Sequence, residues 1–227
     1  MHHSPHARTR RRATSVLALA AVLALGATAC GGSAGPASGD QPVAEVSGAT
    51  DREQGTVLDR PFEKPDLVLT GTDGQEYDFV TETRGKPTLL YFGYTHCPDI
   101  CPLTMGNIAV AESKLTPEER EELQVVFVTT DPERDTPEEL GAWLKGVAPG
   151  AVGLTGDFAT IQAGARTLGI SIDPPEKTAD GEIVSTHGSQ VLFFSPEDDK
   201  AHVLYTEDVP EATYARDLPK LVEGELP

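Results

Sequence analysis

Basic residues, long apolar runs and cysteines are all scarce in this chain of 227 residues. Lys and Arg number 18 against 36 Asp and Glu. Four of the basic residues (Arg8, Arg10, Arg11, Arg12) precede Cys30, and every acidic one follows it, so residues 31–227 carry a net charge of −22. Such a surface repels a polyanion, and no nucleic-acid partner is expected. The excess acid fits docking on a basic partner or plain solubility. Val16 to Leu25 is the one long apolar run, too short to span a bilayer as mature structure. Internal repeats are absent. The cysteines are Cys30, Cys97 and Cys101. Two in the body of the chain are too few for a closed zinc site, which needs four ligands, or for most iron–sulfur clusters.

What is present begins with an address. The arginines, the apolar run, the small residues Ala27-Thr28-Ala29 and then Cys30 resemble a bacterial lipoprotein signal, in which Cys30 becomes the lipidated first residue. A secretory leader with an incidental cysteine is the other reading, and the consecutive arginines also permit twin-arginine export. Residues 31 to about 55 are rich in Gly, Ala, Ser and Pro and cannot bury enough surface to fold. The expected plan is a signal peptide over 1–29, a lipidated cysteine and flexible tether over 30–55, and one folded domain over 56–227. That places the domain at the outer face of the cell membrane, lipid-anchored.

Within the domain, Asp66 to Thr70 and Tyr77 to Val80 flank Thr72-Asp73-Gly74 and read as a hairpin. Pro87 to Gly93 and Leu123 to Thr129 are nearly continuous apolar runs, as in strands buried on both faces. Thr116-Pro117-Glu118-Glu119 and Thr136-Pro137-Glu138-Glu139 each predict a helix start with a capping box. Helices are also expected after Cys101, with Met105, Ile108 and Leu115 inward, and from Asp157. A short strand at 152–154, a hairpin of 190–194 with 202–205, and a last helix over 210–222 broken at Pro219 complete the order. This is an α/β sandwich with a central mixed sheet flanked by helices and an N-terminal hairpin. With the cysteines at the end of the first core strand, a thioredoxin-like fold is expected.

Cys97 and Cys101 stand where that strand ends and a helix begins. Positions four apart share a helix face, so both sulfurs can converge on one object or on each other. Thiolates suit soft metals such as Cu(I), and a thiol at a helix N-terminus ionises more easily. Cu(I) accepts few ligands, and histidine is the natural third. After the leader only His96, His187 and His202 remain. His96 adjoins Cys97 and should point away to solvent; His202 opens a strand at the surface. His187, in Ser185-Thr186-His187-Gly188-Ser189, lies just before the strand Val191 to Phe194, in a loop that a thioredoxin-like sheet lays against the cysteine helix, and is the best-placed third ligand.

The segment Phe92-Gly93-Tyr94-Thr95-His96-Cys97-Pro98-Asp99-Ile100-Cys101-Pro102 resembles the signature of the Sco/SenC family of copper-delivery proteins. The resemblance continues through Val128 to Pro137 and on to His187, covering roughly residues 60 to 222. It implies copper as the bound metal, Cu(I) and also Cu(II), held by Cys97, Cys101 and His187. It further implies a copper-accepting subunit of cytochrome c oxidase as partner; because cysteines outside the cytoplasm tend to oxidise to a disulfide, which cannot hold the metal, a thioredoxin-like reductant is expected as well. Asp131 and Asp135 match the family loop, as site-tuning or docking residues or as turn formers; Asp99 reads as a turn residue.

The rival reading is an enzyme, a thiol–disulfide oxidoreductase with Cys97 as nucleophile and Cys101 resolving. Two features oppose it. Three residues separate the cysteines where ordinary thioredoxin motifs have two, and Thr186-His187-Gly188-Ser189 stands where such reductases carry a cis-proline. A peroxidase would want threonine at position 94, which is tyrosine. A static disulfide closing so short a loop would remove little chain entropy.

Overall fold

Two-sided burial organises the chain. The computed structural model describes residues 55–181 and 183–227; the signal, Cys30 and most of the tether lie outside them. In β4 (Thr88–Gly93) every residue is buried. It pairs in parallel with β5 (Gln124–Thr129) and antiparallel with β9 (Val191–Phe194). Because side chains alternate along a strand, Leu89, Tyr91, Val125, Phe127, Val191 and Phe193 enter one core. Leu90, Phe92, Val126, Val128, Leu192 and Phe194 enter the other. Each fully buried large apolar side chain contributes about 1.5–3 kcal/mol, so both faces must be covered.

The first face is covered by α2 (Ile100–Glu112), α4 (Pro137–Val147) and α6 (Glu211–Val222), the second chiefly by α5 (Phe158–Thr167). Cys101, Met105 and Ile108 form the fully buried stripe of α2. The sheet has eight strands, ordered β1-β10-β9-β4-β5-β6-β2-β3, where β1 is Thr56–Glu63, β2 Val68–Gly71, β3 Glu76–Asp78, β6 Val152–Thr155 and β10 Lys200–Tyr205. The expected α/β sandwich, with its mixed sheet and N-terminal hairpin in a thioredoxin-like arrangement, is what the chain forms.

Several elements differ from expectation for identifiable reasons. Strand β1 opens the expected domain at a stretch where no element is predicted. Its polar sequence and Pro61 suit only an edge strand, and its pairing with β10 breaks register between Val57 and Phe62. After β3 the chain turns into α1 (Phe79–Glu82) because Asp78 caps it, accepting from the Thr81 N–H at 3.1 Å. A capping box closes on both sides in α3 (Pro117–Glu122), whereas at α4 only the Thr136 half forms. Between α5 and β9, where no regular element is expected, a small hairpin forms, β7 (Glu176–Lys177) with β8 (Ile183–Val184). Finally, α6 runs through Pro219 unbroken. An interior proline costs about 3 kcal/mol, and burial of Leu218, Leu221 and Val222 against the α2 face offsets it.

The second core leaves little slack. A Cβ on Gly164 of α5 would stand 2.4 Å from Leu67 Cδ2. Alanine would gain about 1 kcal/mol of helix propensity but overpack a completely buried leucine, at about 1–3 kcal/mol. Gly164→Ala should therefore lower the thermal midpoint; an unchanged or raised midpoint would show that α5 can shift.

Candidate metal centre

The site grows out of the end of β4. Gly93, its last residue, accepts the Thr130 N–H at 2.7 Å, and Cys97 N–H closes a turn onto the Tyr94 carbonyl at 3.2 Å. Asp99 occupies the N-cap of α2 but makes no side-chain cap bond. Instead the Cys101 N–H donates to the Cys97 sulfur at 3.3 Å, so a thiol serves as acceptor for the first turn. Both thiols are free, Cys101 fully buried and Cys97 7 % exposed. A Cβ on Gly93 would stand 2.9 Å from the Cys101 sulfur and 2.9 Å from Phe127 Cε2. Glycine is what lets the sulfur lie against the strand. Tyr91 reaches the same sulfur, its hydroxyl donating at 3.5 Å. Burial pushes the Cys101 thiol up to about 12, against which the Tyr91 hydrogen bond acts.

His187 arrives on the segment between β8 and β9. Gly188 N–H donates to the Phe92 carbonyl at 3.0 Å, which ties this segment to the same end of β4. A Cβ on Gly188 would meet Ile170 Cγ2 at 3.0 Å, so the close approach needs glycine. The His187 ring lies 5.9 Å from the Tyr94 ring, centroid to centroid. Its Nδ1 is 2.9 Å from the Gly188 carbonyl. A carbonyl only accepts, so Nδ1 carries the proton and Nε2 keeps its lone pair. Among the described residues no three His, Cys, Asp or Glu side chains already form a ligand set. The structure joins Cys97 to Cys101 and brings His187 alongside through Tyr94.

His96 faces solvent as expected, whereas His202 is the third residue of β10 rather than its first, and its side chain is 23 % exposed. His96 is half exposed and bonds Thr95 Oγ1 at 3.0 Å. His202 is spent on Asp198 at 2.9 Å.

Asp131 and Asp135 are both completely buried, beyond what turn formation requires. Asp135 accepts the Thr95 N–H at 2.9 Å, the Thr95 hydroxyl at 2.6 Å and the Thr129 hydroxyl at 2.6 Å. It thereby ties the cysteine loop to the end of β5. Asp131 accepts the Ser185 hydroxyl at 2.8 Å and pairs with Arg134, which also donates to Ser185 Oγ at 3.2 Å. The Thr130 hydroxyl donates to the Thr186 carbonyl at 2.6 Å. The loop after β5 thus clamps the His187 segment as well. Sequence reasoning did not single out Thr95, Thr129, Thr130, Arg134 or Ser185 for this work: Thr95, Thr130 and Ser185 act through partners 40 or more positions away, and the local contacts of Thr129 and Arg134 gain their meaning from those distant ones.

Two outcomes follow from this geometry. Asp135→Ala leaves three donors without their acceptor and should cost about 2–4 kcal/mol. Amide exchange at Thr95 should accelerate well beyond the global change; unaltered protection there would mean that Asp135 does not hold the loop. In the second, the thiolate is the reactive form, so the reduced native protein at pH 8 should be alkylated at Cys97 and scarcely at Cys101. Labelling of Cys101 should rise as pH climbs toward about 12. In denaturant both should react alike, and equal native rates at pH 8 would contradict the burial of Cys101.

A family model described as SCO1/SenC matches residues 55–223. A Stutzerimonas stutzeri protein named for copper binding is 36% identical over 146 residues, 64% of this chain and 71% of that one. Mitochondrial relatives are longer: the stretch matching an Arabidopsis thaliana Sco1 homolog is 36% of that protein. Among solved structures, apo Sco1 of Thermus thermophilus shares 33% identity at a TM-score of 0.63, covering 73% of this chain and 94% of that one. Copper-bound ScoI of Arabidopsis thaliana shares 28% at 0.60, covering 72% and 97%. With the buried thiol pair at the end of β4, the histidine segment fastened beside it and a match spanning the whole described sheet, this chain belongs to the SCO1/SenC family.

Proposed function

We propose that this protein binds copper through Cys97, Cys101 and His187 and delivers it to the copper-accepting subunit of cytochrome c oxidase, held at the outer membrane face by a lipid on Cys30. The observation that carries the reading is the pair of free thiols at the β4–α2 junction, with the His187 segment fastened to the same strand end. The donor set fits Cu(I): two soft sulfurs and an imidazole whose Nε2 lone pair is available. The copper-binding relative and the copper-bound ScoI support the choice of metal.

The donors also differ in burial. Cys101 is locked in the core, Cys97 sits at its edge, and His187 is part-buried on a connecting segment. Small adjustments of the outer two would close the site on the metal. An acceptor's ligands would displace those two first, leaving Cys101 to let go last. Oxidation joins the thiols as a disulfide, releasing two protons and two electrons, and removes the sulfur donors. Delivery outside the cytoplasm therefore calls for a reductant, of the thioredoxin-like class.

A second reading, thiol–disulfide exchange, draws support from the same inner and outer placement. The Cys97 thiolate would attack an acceptor disulfide, forming a mixed disulfide and expelling one acceptor thiolate. Cys101 would then form the internal disulfide and release the other.

Anaerobic Cu(I) titration of residues 55–227 against a competing chelator separates the readings. One tight equivalent is expected, weakened at least about 100-fold in Cys97→Ala and Cys101→Ala and about 10-fold or more in His187→Ala. Binding indifferent to His187 would remove it from the site, and absent binding would leave thiol exchange as the function.

A further inference from the structure

The cysteine pair is embedded asymmetrically. Cys97 receives an amide from the first turn of α2, whereas Cys101 faces the sheet with its sulfur completely buried. The hydroxyl of Tyr91 meets that sulfur from β4 at 3.5 Å. Tyr91 is itself fixed. It is 1 % exposed, and its ring packs edge-on against Phe127 at 5.8 Å. A phenol has one proton to give, and here it goes to sulfur. Apolar packing alone would be served by phenylalanine, as at Phe127 and Phe193 on the same face.

We propose that Tyr91 is a positioning residue for the cysteine pair: its buried hydroxyl holds the Cys101 sulfur against β4 and favours the reduced, metal-ready thiol over the disulfide. A thiol or thiolate accepts a hydrogen bond better than a disulfide sulfur does, so the contact is worth more before oxidation than after. The inference rests on reading Cys97 and Cys101 as the working pair of the proposed site. It does not depend on which ligand completes that site.

Tyr91→Phe keeps the ring and removes the donor. Equilibrated without metal against a mixture of reduced and oxidised dithiothreitol, whose disulfide form takes the two electrons and two protons released as the protein S–S bond forms, the variant should favour the disulfide about fivefold more than the wild type. That corresponds to about 20 mV for a two-electron couple. Thermal unfolding of reduced and oxidised protein supplies the contrast, since a residue that only packs would lower both alike. An unmoved equilibrium would overturn the proposal, whatever happens to stability. In the wild-type protein, the Tyr91 hydroxyl proton should resist exchange while the pair is reduced and lose that protection on oxidation; a freely exchanging proton in the reduced form would equally count against it. Cu(I) titration of the same reduced wild-type sample reports on the underlying reading. A shifted equilibrium without copper binding would sink the copper site and leave the role of Tyr91 standing.

Discussion

A strand buried on both faces must pass its backbone hydrogen bonds to other backbone, and at the C-terminal end of β4 that requirement assembles the site. The Phe92 carbonyl takes the Gly188 N–H, and the Gly93 carbonyl takes the Thr130 N–H. Leaving either carbonyl unpaired in the core would cost about 1–3 kcal/mol. Those bonds draw in the His187 segment and the loop after β5, while β4 itself continues into the cysteine turn. Three distant stretches of chain meet because one strand runs out of partners. The two glycines at the junction, Gly93 and Gly188, make room for a sulfur and for a neighbouring backbone where a Cβ would intrude.

The polar layer above this junction explains how two of the buried carboxylates, Asp131 and Asp135, are kept in the interior. Asp135 is surrounded by donors from Thr95 and Thr129, and Asp131 shares an ion pair with Arg134 and a hydroxyl from Ser185. Such groups are a poor way to gain net stability, since desolvation cancels much of the attraction. Removing one partner is another matter, because the rest are left buried and unpaired. The arrangement thus enforces geometry more than it adds stability. Cys101 is locked by its core contacts while His187 depends on the clamp, a gradation that the proposed binding and release of copper would use.

Legibility in the sequence tracked the length scale of each interaction. The core strands, the inward stripe of α2 and the Thr136 cap could be read because apolar period and capping are local properties. Strand β1 could not, since its pairing with β10 joins residues more than a hundred positions apart and its own composition is polar. Pro219 misled for the converse reason: the local rule is sound, but packing of Leu218 and Leu221 outweighs it. At the site, the cysteines and His187 were legible as chemistry, and Asp131 and Asp135 only as candidates between turn and function.

By itself, then, the sequence determined which atoms are available: two sulfurs four residues apart at a strand–helix junction, few histidines, and twice as many acidic as basic side chains. The tertiary structure alone decided which sulfur lies inside and which at the edge, that the Tyr91 hydroxyl serves the inner one, and that the Gly188 carbonyl directs the His187 tautomer. The physical reason is that donor chemistry belongs to a residue type, whereas burial and hydrogen-bond partners belong to whatever the fold packs against it.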